Sequence, residues 1–452
     1  MKLHTTFVAV LALATFGFSA QARAETLADA LTLAYNNSGL LDQNRALLRA
    51  ADEDVAQAVA ETLPVISWAA QAKASAPRAA DVDLIEATAR ITASLTLYDG
   101  GANRFAIEAQ KETVLGTRES LRNIEQTVLL DAVSAYMQVG AAAEFVALRE
   151  SNVRVIAQEL KAAKDKFDVG EVTRTDVAIA EAALAAANSL LSAAQGNYAT
   201  AVEGYTAAVG QRPGKLSPAS VAPVTQNLAD AKAYAVRNHP SLLQAQHAVA
   251  AAEITIQGAR AAMSPTVSLS AQLGMNQSGI VGREVGVSVG GPIYSGGALS
   301  SYVRQAMASR DAARARLHVA SQGIEQQVGN AYSYLESSRA SRQASGQQIT
   351  ASRVAFDGVR EEATLGARTT IDVLNAEQDL LSARANLISA QADEVVASYQ
   401  VLSTMGLLTA SYLKLPVQQY DAAAYYNLVK DAPTVTSDQG QALDRVLKAI
   451  GQ

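Results

Sequence analysis

The chain has 452 residues, no cysteine and a formal net charge of −6 at pH 7. The absence of cysteine excludes a disulfide scaffold and a thioether-linked lipid anchor, and the acidic balance argues against nucleic acid as a partner, because phosphate binding needs clustered Lys and Arg. Aromatic residues make up only 5% of the chain, and much of the 49% hydrophobic content is alanine, which is typical of closely packed helices in a bundle or tube.

Residues 1–24 are predicted to be a secretory signal. Lys2 and His4 precede a short apolar run, and Ala22-Arg23-Ala24 has the small-x-small form of a cleavage site. The apolar run is too short to span a bilayer comfortably, which favours cleavage after Ala24 over a membrane anchor. No later stretch approaches ~20 consecutive apolar residues, so no transmembrane helix is expected.

The rest of the chain repeats itself. Residues 27–71 realign without a gap on residues 228–272, and a second ungapped match follows over more than a hundred residues in each copy. In this second match Tyr98 corresponds to Tyr294, Tyr136 to Tyr332, Gly170 to Gly366, Asp176 to Asp372, and Gly210 to Gly406. Loops tolerate insertions whereas a continuous helix pair does not. Two copies of one rigid unit therefore indicate a built assembly rather than a single catalytic pocket.

These repeats predict four parts after the signal. The first repeat covers 25–210, a linker with three prolines covers 211–227, the second repeat covers 228–410, and a C-terminal segment and tail cover 411–452. The tail is expected to contain a short helix near 442–450.

Each repeat is expected to begin with helical structure, after which the spacing of apolar residues changes from that of a helix to that of a strand. Helix is predicted from Thr26 to Leu63, ending at Pro64, because proline disfavours helix in the residue before it. Strict alternation of apolar and polar residues then predicts strands. The four predicted strands cover about 65–76, 87–97, 266–276 and 284–294.

Each predicted strand has about the ~10 residues that a tilted strand needs to cross a bilayer. The alternative is two amphipathic hairpins that cover a soluble core, but the alanine-rich helices offer no large apolar set to fill such a core. We therefore expect Leu95, Leu269 and Val287 to face lipid, and Thr92, Ser270 and Ser288 to face a lumen. Four strands cannot close a transmembrane barrel, and an open edge in lipid leaves backbone groups unpaired, so the chain is expected to oligomerise.

Two proline-free runs, 101–167 and 297–365, predict helices of nearly seventy residues, which extend ~100 Å at 1.5 Å per residue. Gly170 and Gly366 are expected to end them, and Thr173 and Thr369 to cap the returning helices. The tips of these two helical hairpins are thus predicted near 167–176 and 364–372.

Motifs in this order resemble the TolC-type outer-membrane efflux and secretion proteins. The resemblance rests on LADALTLAYNN near the start, YDGG and YSGG after the second strands, KFDVGEVTRTDVAIAEAAL, and TLGARTTIDVLNAEQDLLSA, and it covers about residues 27–426. It implies an α+β membrane protein: a long antiparallel α-helical coiled-coil barrel continuous with a transmembrane β-barrel. Three protomers would contribute four strands each, in the outer membrane, with the helices extending into the periplasm.

The resemblance also implies a function and partners. Such a homotrimer passes substrates outward from an inner-membrane transporter of the ABC or RND type through a periplasmic adaptor. The segment LKLPVQQYDAAAYYNLV resembles one that packs around the middle of the tube in type I secretion members. This segment and the missing cysteine favour protein secretion, with multidrug efflux as the alternative. The sequence does not identify the cargo, the transporter or the adaptor.

Residues at the predicted tips carry the functional hypothesis. By resemblance, Asp176 and Arg368 link neighbouring helix pairs in a closed tip, and Asp372 forms an acidic ring. Thr175 is assigned to the same gate. The family's second acidic position falls on Asn375 and its tip tyrosine on Ala363, so closure and cation binding are both expected to differ. The turn residues expected to dock the adaptor are Gly170, Arg174 and Gly366. The alternative interpretation is two solvated, capped turns.

Catalysis, a metal site and a cofactor have little support. The predicted mature chain has three histidines and no convincing carboxylate–histidine cluster. His239 and His247 are eight residues apart on one predicted helix and are interpreted as surface residues. Two other classes remain as alternatives. A periplasmic coiled-coil structural protein would not need four bilayer-length strands, and an adaptor would need a compact β domain and a lipoyl-like module, which are not visible.

Overall fold

The computed structural model describes residues 24–74 and 85–449. The predicted signal up to residue 23, and the loop between the first two strands, lie outside the described residues. The first repeat consists of α1 (Leu27–Asn37), α2 (Gly39–Ala60), β1 (Val65–Ala74), β2 (Ile85–Tyr98), α3 (Ala102–Asp168) and α4 (Arg174–Val209). The second consists of α5 (Leu228–Asn238), α6 (Pro240–Ala261), β3 (Thr266–Asn276), β4 (Val281–Gly290), α7 (Ala298–Thr364) and α8 (Thr370–Thr404). Two further helices follow, α9 (Ala424–Val429) and α10 (Asp438–Ala449).

Corresponding helices of the two repeats have matching lengths. The helices α1 and α5 have 11 residues each, α2 and α6 have 22, and α3 and α7 have 67. A helix of that last length extends ~100 Å. The two repeats therefore build two copies of one unit, in which a short helix pair, a strand hairpin and a long helical hairpin follow in order.

The helical segment predicted over 26–63 consists of two short helices. Thr26 caps α1 through a capping box, but Ser38 leaves the helical conformation and its hydroxyl caps the first turn of α2. Serine favours such positions because its side chain satisfies the N–H groups that a helix start leaves unpaired. In the second repeat the same break falls at His239, before Pro240.

The four strands form one antiparallel sheet in the order β1-β2-β3-β4. β2 is longer than predicted, and β4 begins three residues earlier than the predicted 284–294. The early start follows from a tight turn in which the Asn276 side chain accepts hydrogen bonds from the backbone N–H groups of Ser278 and Ile280. β4 ends at Gly290, two residues before Pro292, which has no N–H to donate. The prediction that Ile293 belongs to this strand is therefore wrong.

One face of the sheet is apolar and the other is polar. Paired residues of antiparallel strands project to the same side, and Leu95, Leu269 and Val287 form one row across β2, β3 and β4. Rows of the opposite face carry Ser67, Thr92, Gln272 and Glu284, then Ser94, Ser270 and Gly286, then Thr96, Ser268 and Ser288. The two residue sets predicted for different faces thus lie on different faces.

A tyrosine repeated in α3 and α7 holds the linker between the repeats. The hydroxyl of Tyr136 shares its one proton between two carbonyl oxygens, of Ser217 at 2.6 Å and of Glu25 at 2.8 Å. The hydroxyl of Tyr332, its counterpart, donates to the carbonyl of Gln226 at 2.9 Å. Glu25 also forms a parallel bridge with Leu216. The linker is therefore tied to both long helices and to the start of the first repeat.

The C-terminal segment packs against α2 and the upper part of α3. Tyr425 donates to Glu53 at 2.7 Å, and Arg45 lies between the rings of Tyr35 and Tyr420, at 5.2 and 5.4 Å. Beneath this contact Asp52 is 1% exposed, and neither of its carboxylate oxygens has a hydrogen-bond partner within the described structure. Burial raises the pKa of Asp52 to about 6, partly offset by the nearby Arg118 guanidinium.

The helix α4 is more apolar than the sequence analysis recognised. By length and composition alone it is apolar enough to cross a membrane, with a mean hydropathy of 1.5 over its most apolar window, contrary to the expectation of no such helix. Its apolar character comes largely from alanine. Ala180, Ala187 and Ala194 are buried at seven-residue intervals, and α4 packs along α3. Seven-residue spacing is the pattern of a helix that packs lengthwise on another helix, which accounts for these three buried positions; only 17% of the apolar window is buried within the chain.

We expect arginine to be tolerated on one face of the sheet and not on the other. Leu95→Arg puts a charge on the apolar face and should cost ~2–4 kcal/mol near a bilayer midplane, whereas Thr92→Arg on the polar face should cost far less. The yield of folded protein in outer-membrane fractions measures the difference. Equal losses for the two variants would contradict the assignment of faces.

We expect Asp52→Asn to stabilise the protein at neutral and alkaline pH but hardly at pH 4. Because the folded-state pKa, about 6, lies above the usual 3.8, stability is highest when Asp52 is protonated, falls as pH rises from about 4 to about 6, and is level above that range. Asparagine resembles the protonated form, so the gain at pH 8 is at most about 3 kcal/mol per chain. Urea unfolding followed by circular dichroism at pH 4 and pH 8 tests this. Asp54→Asn, on the exposed side of α2, is the matched control, and an equal gain at both pH values would contradict the explanation.

Candidate functional site

The two helical hairpins end in turns of the same construction. Gly170 and Gly366 have φ of 81° and 79°, a left-handed conformation that glycine adopts without steric cost. In the first turn the N–H of Glu171 donates to the carbonyl of Lys166 at 2.9 Å, and in the second the N–H of Ala367 donates to that of Glu362 at 2.9 Å. This pattern closes a helix and reverses the chain.

Each returning helix begins with a threonine–aspartate capping box. The Asp176 carboxylate accepts hydrogen bonds from the hydroxyl and N–H of Thr173, at 2.7 and 2.9 Å. Asp372 accepts the same pair from Thr369, at 2.9 Å from the N–H and 2.7 Å from the hydroxyl. These hydrogen bonds lower the pKa of both carboxyls. Both groups therefore carry a full negative charge near neutral pH.

Arg368 finds its partner within its own turn. Its Nε donates to the Glu362 carboxylate at 2.8 Å, and both side chains are about half exposed. This hydrogen bond is the largest of the effects that raise the pKa of Arg368, and Asp372 contributes more weakly. Arg368 and Asp176 are not in ion-pair contact with each other within the chain.

An open groove of about 550 Å³ separates the two turns. Asp176, Arg368 and Gly366 line it, so three of the predicted site residues meet there. The others lie outside its lining: Gly170, Arg174, Thr175 and Asn375 are exposed, and Asp372 is partly exposed. The groove walls also include Glu159 and Lys166 from α3.

Three polar contacts, which the sequence did not predict, join the two helical hairpins. Lys166 Nζ donates to the carbonyl of Ala363 at 3.2 Å. Glu159 pairs with Arg360 Nε at 3.3 Å. Higher up, Asn152 Nδ2 donates to Glu377 at 3.2 Å.

The three α3 residues of these contacts, Asn152, Glu159 and Lys166, form what we call the cross-hairpin stripe. They are spaced by seven residues, which places them on one face of α3. This spacing of polar residues beside the buried Ile156 and Ala163 was the signal available in the sequence.

The uppermost contact of the stripe is buried. Asn152 and Glu377 are 3% and 5% exposed, and burial raises the pKa of Glu377, partly offset by the Asn152 hydrogen bond. A buried carboxylate depends on the donors that remain around it. Asn152 is therefore a structural requirement for Glu377 and not an interchangeable surface residue.

Among the described residues no group of three or more His, Cys, Asp or Glu has a geometry that could hold a metal ion. The prediction that His239 is a surface residue is wrong: it is 5% exposed at the start of α6, and burial lowers its pKa to about 4. His247 Nδ1 lies 2.8 Å from the Glu112 carboxylate.

Comparison with known proteins gives a consistent result. Residues 30–211 and 234–407 match the family model described as outer membrane efflux protein. The chain is 38% identical over 419 residues to the outer membrane efflux protein BepC of Brucella suis, covering 91% of both chains. It is 24% identical over 428 residues to the outer membrane protein TolC of Escherichia coli, covering 88% of this chain and 86% of TolC. The crystal structure of the Campylobacter jejuni CmeC outer membrane channel superposes with a TM-score of 0.76 at 15% identity, covering 91% and 90%.

We expect Asn152→Ala to destabilise the protein by about 1–3 kcal/mol, because it leaves the buried Glu377 carboxylate without a donor. Asn188→Ala, the same change at an exposed position of α4, should stay within about 0.5 kcal/mol. The double variant Asn152→Ala/Glu377→Gln should recover part of the loss, since an unpaired amide costs less than an unpaired carboxylate. Urea midpoints measure all three variants, and equal midpoints for Asn152→Ala and Asn188→Ala would contradict this role.

Proposed function

Because the chain belongs to the outer membrane efflux protein family, we propose that it is the exit duct of a tripartite export system, with three copies enclosing one channel. The protein lies in the outer membrane and reaches into the periplasm. Substrate enters from an inner-membrane transporter through a periplasmic adaptor and leaves at the cell surface. The chain is a conduit in this proposal and has no catalytic role.

The observation that carries this proposal is an unclosed sheet joined to helices of 67 residues. In the described chain β1 pairs only with β2, and β4 only with β3, so each has one edge without a partner strand. Such edges cannot stay in lipid, because each unpaired backbone group costs several kcal/mol. Three copies would supply twelve strands, a size within the range of outer-membrane barrels.

The lower end of the duct is the proposed gate. Asp176 and Arg368 line the groove between the turns, where they can reach charged groups of a neighbouring copy. Charge-assisted hydrogen bonds between copies would hold the helices together around the axis. Asp372 would add an acidic ring that attracts cations, weakened by the neutral Asn375. Thr175 is the exposed neighbour through which a copy would be contacted.

The same turns are the proposed docking site for the adaptor. Gly170, Gly366 and Arg174 present backbone and positive charge at the far end of the molecule. The 550 Å³ groove beside them can receive the tip of a helical hairpin, the element that an adaptor would supply.

Two cargo classes remain, each with its own support. Protein secretion is supported by the C-terminal segment, which contacts α1 through Tyr420 and α2 through Tyr425, as expected from secretion members of the family. Efflux of small compounds is supported by the 38% identity to a protein named as an efflux protein. Deletion of the gene separates them: secretion predicts loss of one or more proteins from the culture medium, whereas efflux predicts increased sensitivity to drugs and detergents. No change in either would contradict the duct.

We expect Arg368→Ser to raise single-channel conductance in planar bilayers, because it removes a charge that the closed tip would use. Asp372→Ala should leave conductance near that of the parent and weaken block by trivalent cations, because it removes an acidic ring without breaking the link. Arg174→Ser, at an exposed arginine of the other turn, is the control and should conduct like the parent. Parent-like conductance for Arg368→Ser would refute its gating role and leave the capped-turn interpretation.

A further inference from the structure

One arginine interrupts the apolar face of the sheet. Trp68, Ile91, Leu273 and Arg283 form a row across all four strands, so Arg283 projects to the same side as three large apolar residues. Among the strand residues that the structure describes, Arg283 is the only charged side chain on that face. The other charged residues of the strands lie in rows of the polar face: Lys73, Glu86, Arg90 and Glu284.

Arg283 lies towards the end of the sheet that is remote from the helices. It is two residues inside the start of β4, ~7 Å along the strand from the turn. If the strands cross the outer membrane as proposed, this height corresponds to the outer leaflet near its headgroups. An arginine facing lipid costs ~2–4 kcal/mol at the midplane but only ~0–1 kcal/mol near the interface. The free-energy cost of an arginine at this position is therefore small, but its charge still needs a partner.

An apolar groove lies beside the arginine. Its volume is about 360 Å³, and its lining includes Trp68, Ile91, Leu273, Met275 and Val281, with Arg90 from the row between them. Arg283 is outside this lining but is paired with Leu273 and lies two residues from Val281. Ala89, a small residue in the next row of the same face, also lines the groove. Trp68, the single tryptophan of the chain, is 80% exposed. This surface offers an apolar channel that ends close to a positive charge.

We propose that this surface binds a phosphorylated lipid of the outer leaflet, with its phosphate on the Arg283 guanidinium and an acyl chain in the groove. The proposal rests on the proposed function, since it needs the apolar face to meet lipid. Arginine suits the role because its planar fork donates two parallel hydrogen bonds to phosphate. In the described part of the chain Arg283 has no ion-pair partner that would compete. The apolar lining of the groove would hold the acyl chain, while Arg283 holds the phosphate.

Native mass spectrometry of the full-length protein tests this. The protein is delipidated in mild detergent and titrated with phosphatidic acid, with a diacylglycerol of the same chains, or with inorganic phosphate alone. We expect phosphatidic acid to bind at one molecule per chain on the trimer, and the other two probes not to be retained. Arg283→Gln should lower occupancy about tenfold, the effect of losing one charge-assisted contact. Ala89→Leu should also lower it, because leucine fills the groove.

Lys73→Gln is the matched control. Lys73 lies near the same end of the sheet but on the polar face, paired with Glu86, and does not line the groove, so its loss should leave occupancy unchanged. Retention of phosphatidic acid by Arg283→Gln, or an equal loss in Lys73→Gln, would overturn the lipid site. A parent trimer that binds no lipid would also overturn it while leaving the duct intact. A parent that is a stable membrane-inserted monomer would overturn the duct and the lipid site together.

Discussion

Backbone pairing at the two outer strands is the constraint on which the molecule depends. If the strands cross the outer membrane as proposed, lipid offers no water to the N–H and C=O groups of β1 and β4, so their free edges must be paired by protein. A chain that closed its own barrel would need about eight strands, but this chain has four in the described sheet. Each repeat contributes one hairpin, and the β2–β3 pairing joins the two repeats into one sheet. The missing partners are most simply supplied by copies of the same chain.

If the helical tips form the proposed gate, one set of residues there serves both the local turns and the contacts between copies. Asp176 already accepts two hydrogen bonds from Thr173, and Arg368 already pairs with Glu362. Any contact with a neighbouring copy would add to these local contacts or compete with them. Because the local pairs are exposed, each contributes little stability. Replacing a local partner by one from a neighbouring copy therefore costs little free energy. A tip held by such contacts can close without becoming permanently locked.

The cross-hairpin stripe links the two helical hairpins of one chain. At Ala363, where the resemblance leads one to expect a tyrosine, Lys166 instead donates to the backbone carbonyl. The link between hairpins is thus made by a residue of α3 and needs no side chain at position 363. Asn152 and Glu377 provide a buried link higher up, which is more costly to break than an exposed one. The two hairpins of one chain are therefore held more firmly than the turns alone would suggest.

The strands and long helices could be predicted from the sequence because alternation over ten residues, proline-free runs and the internal repeat each extend over many residues. The features that were not predicted depend either on a single side chain or on contacts between distant parts of the chain. Ser38 ends α1 through one side-chain hydrogen bond, and β4 starts early because Asn276 tightens its turn; neither alters the periodic pattern. His239 is buried by tertiary packing that its sequence neighbours do not reveal. The contacts of Lys166 and Asn152 join residues about two hundred positions apart, beyond the reach of any local pattern.

Hydrogen–deuterium exchange of the intact protein in membranes or mild detergent tests the edge constraint most directly. Within one chain, half of the amides of β1 and β4 point away from the neighbouring strand, whereas those of β2 and β3 are paired on both sides. If copies of the chain close the barrel, the amides of Val65–Ala74 and Val281–Gly290 will exchange as slowly as those of the two central strands. Rapid exchange of alternate amides in β1 and β4, beside protected β2 and β3, would mean that the edges are open and would contradict closure by oligomerisation.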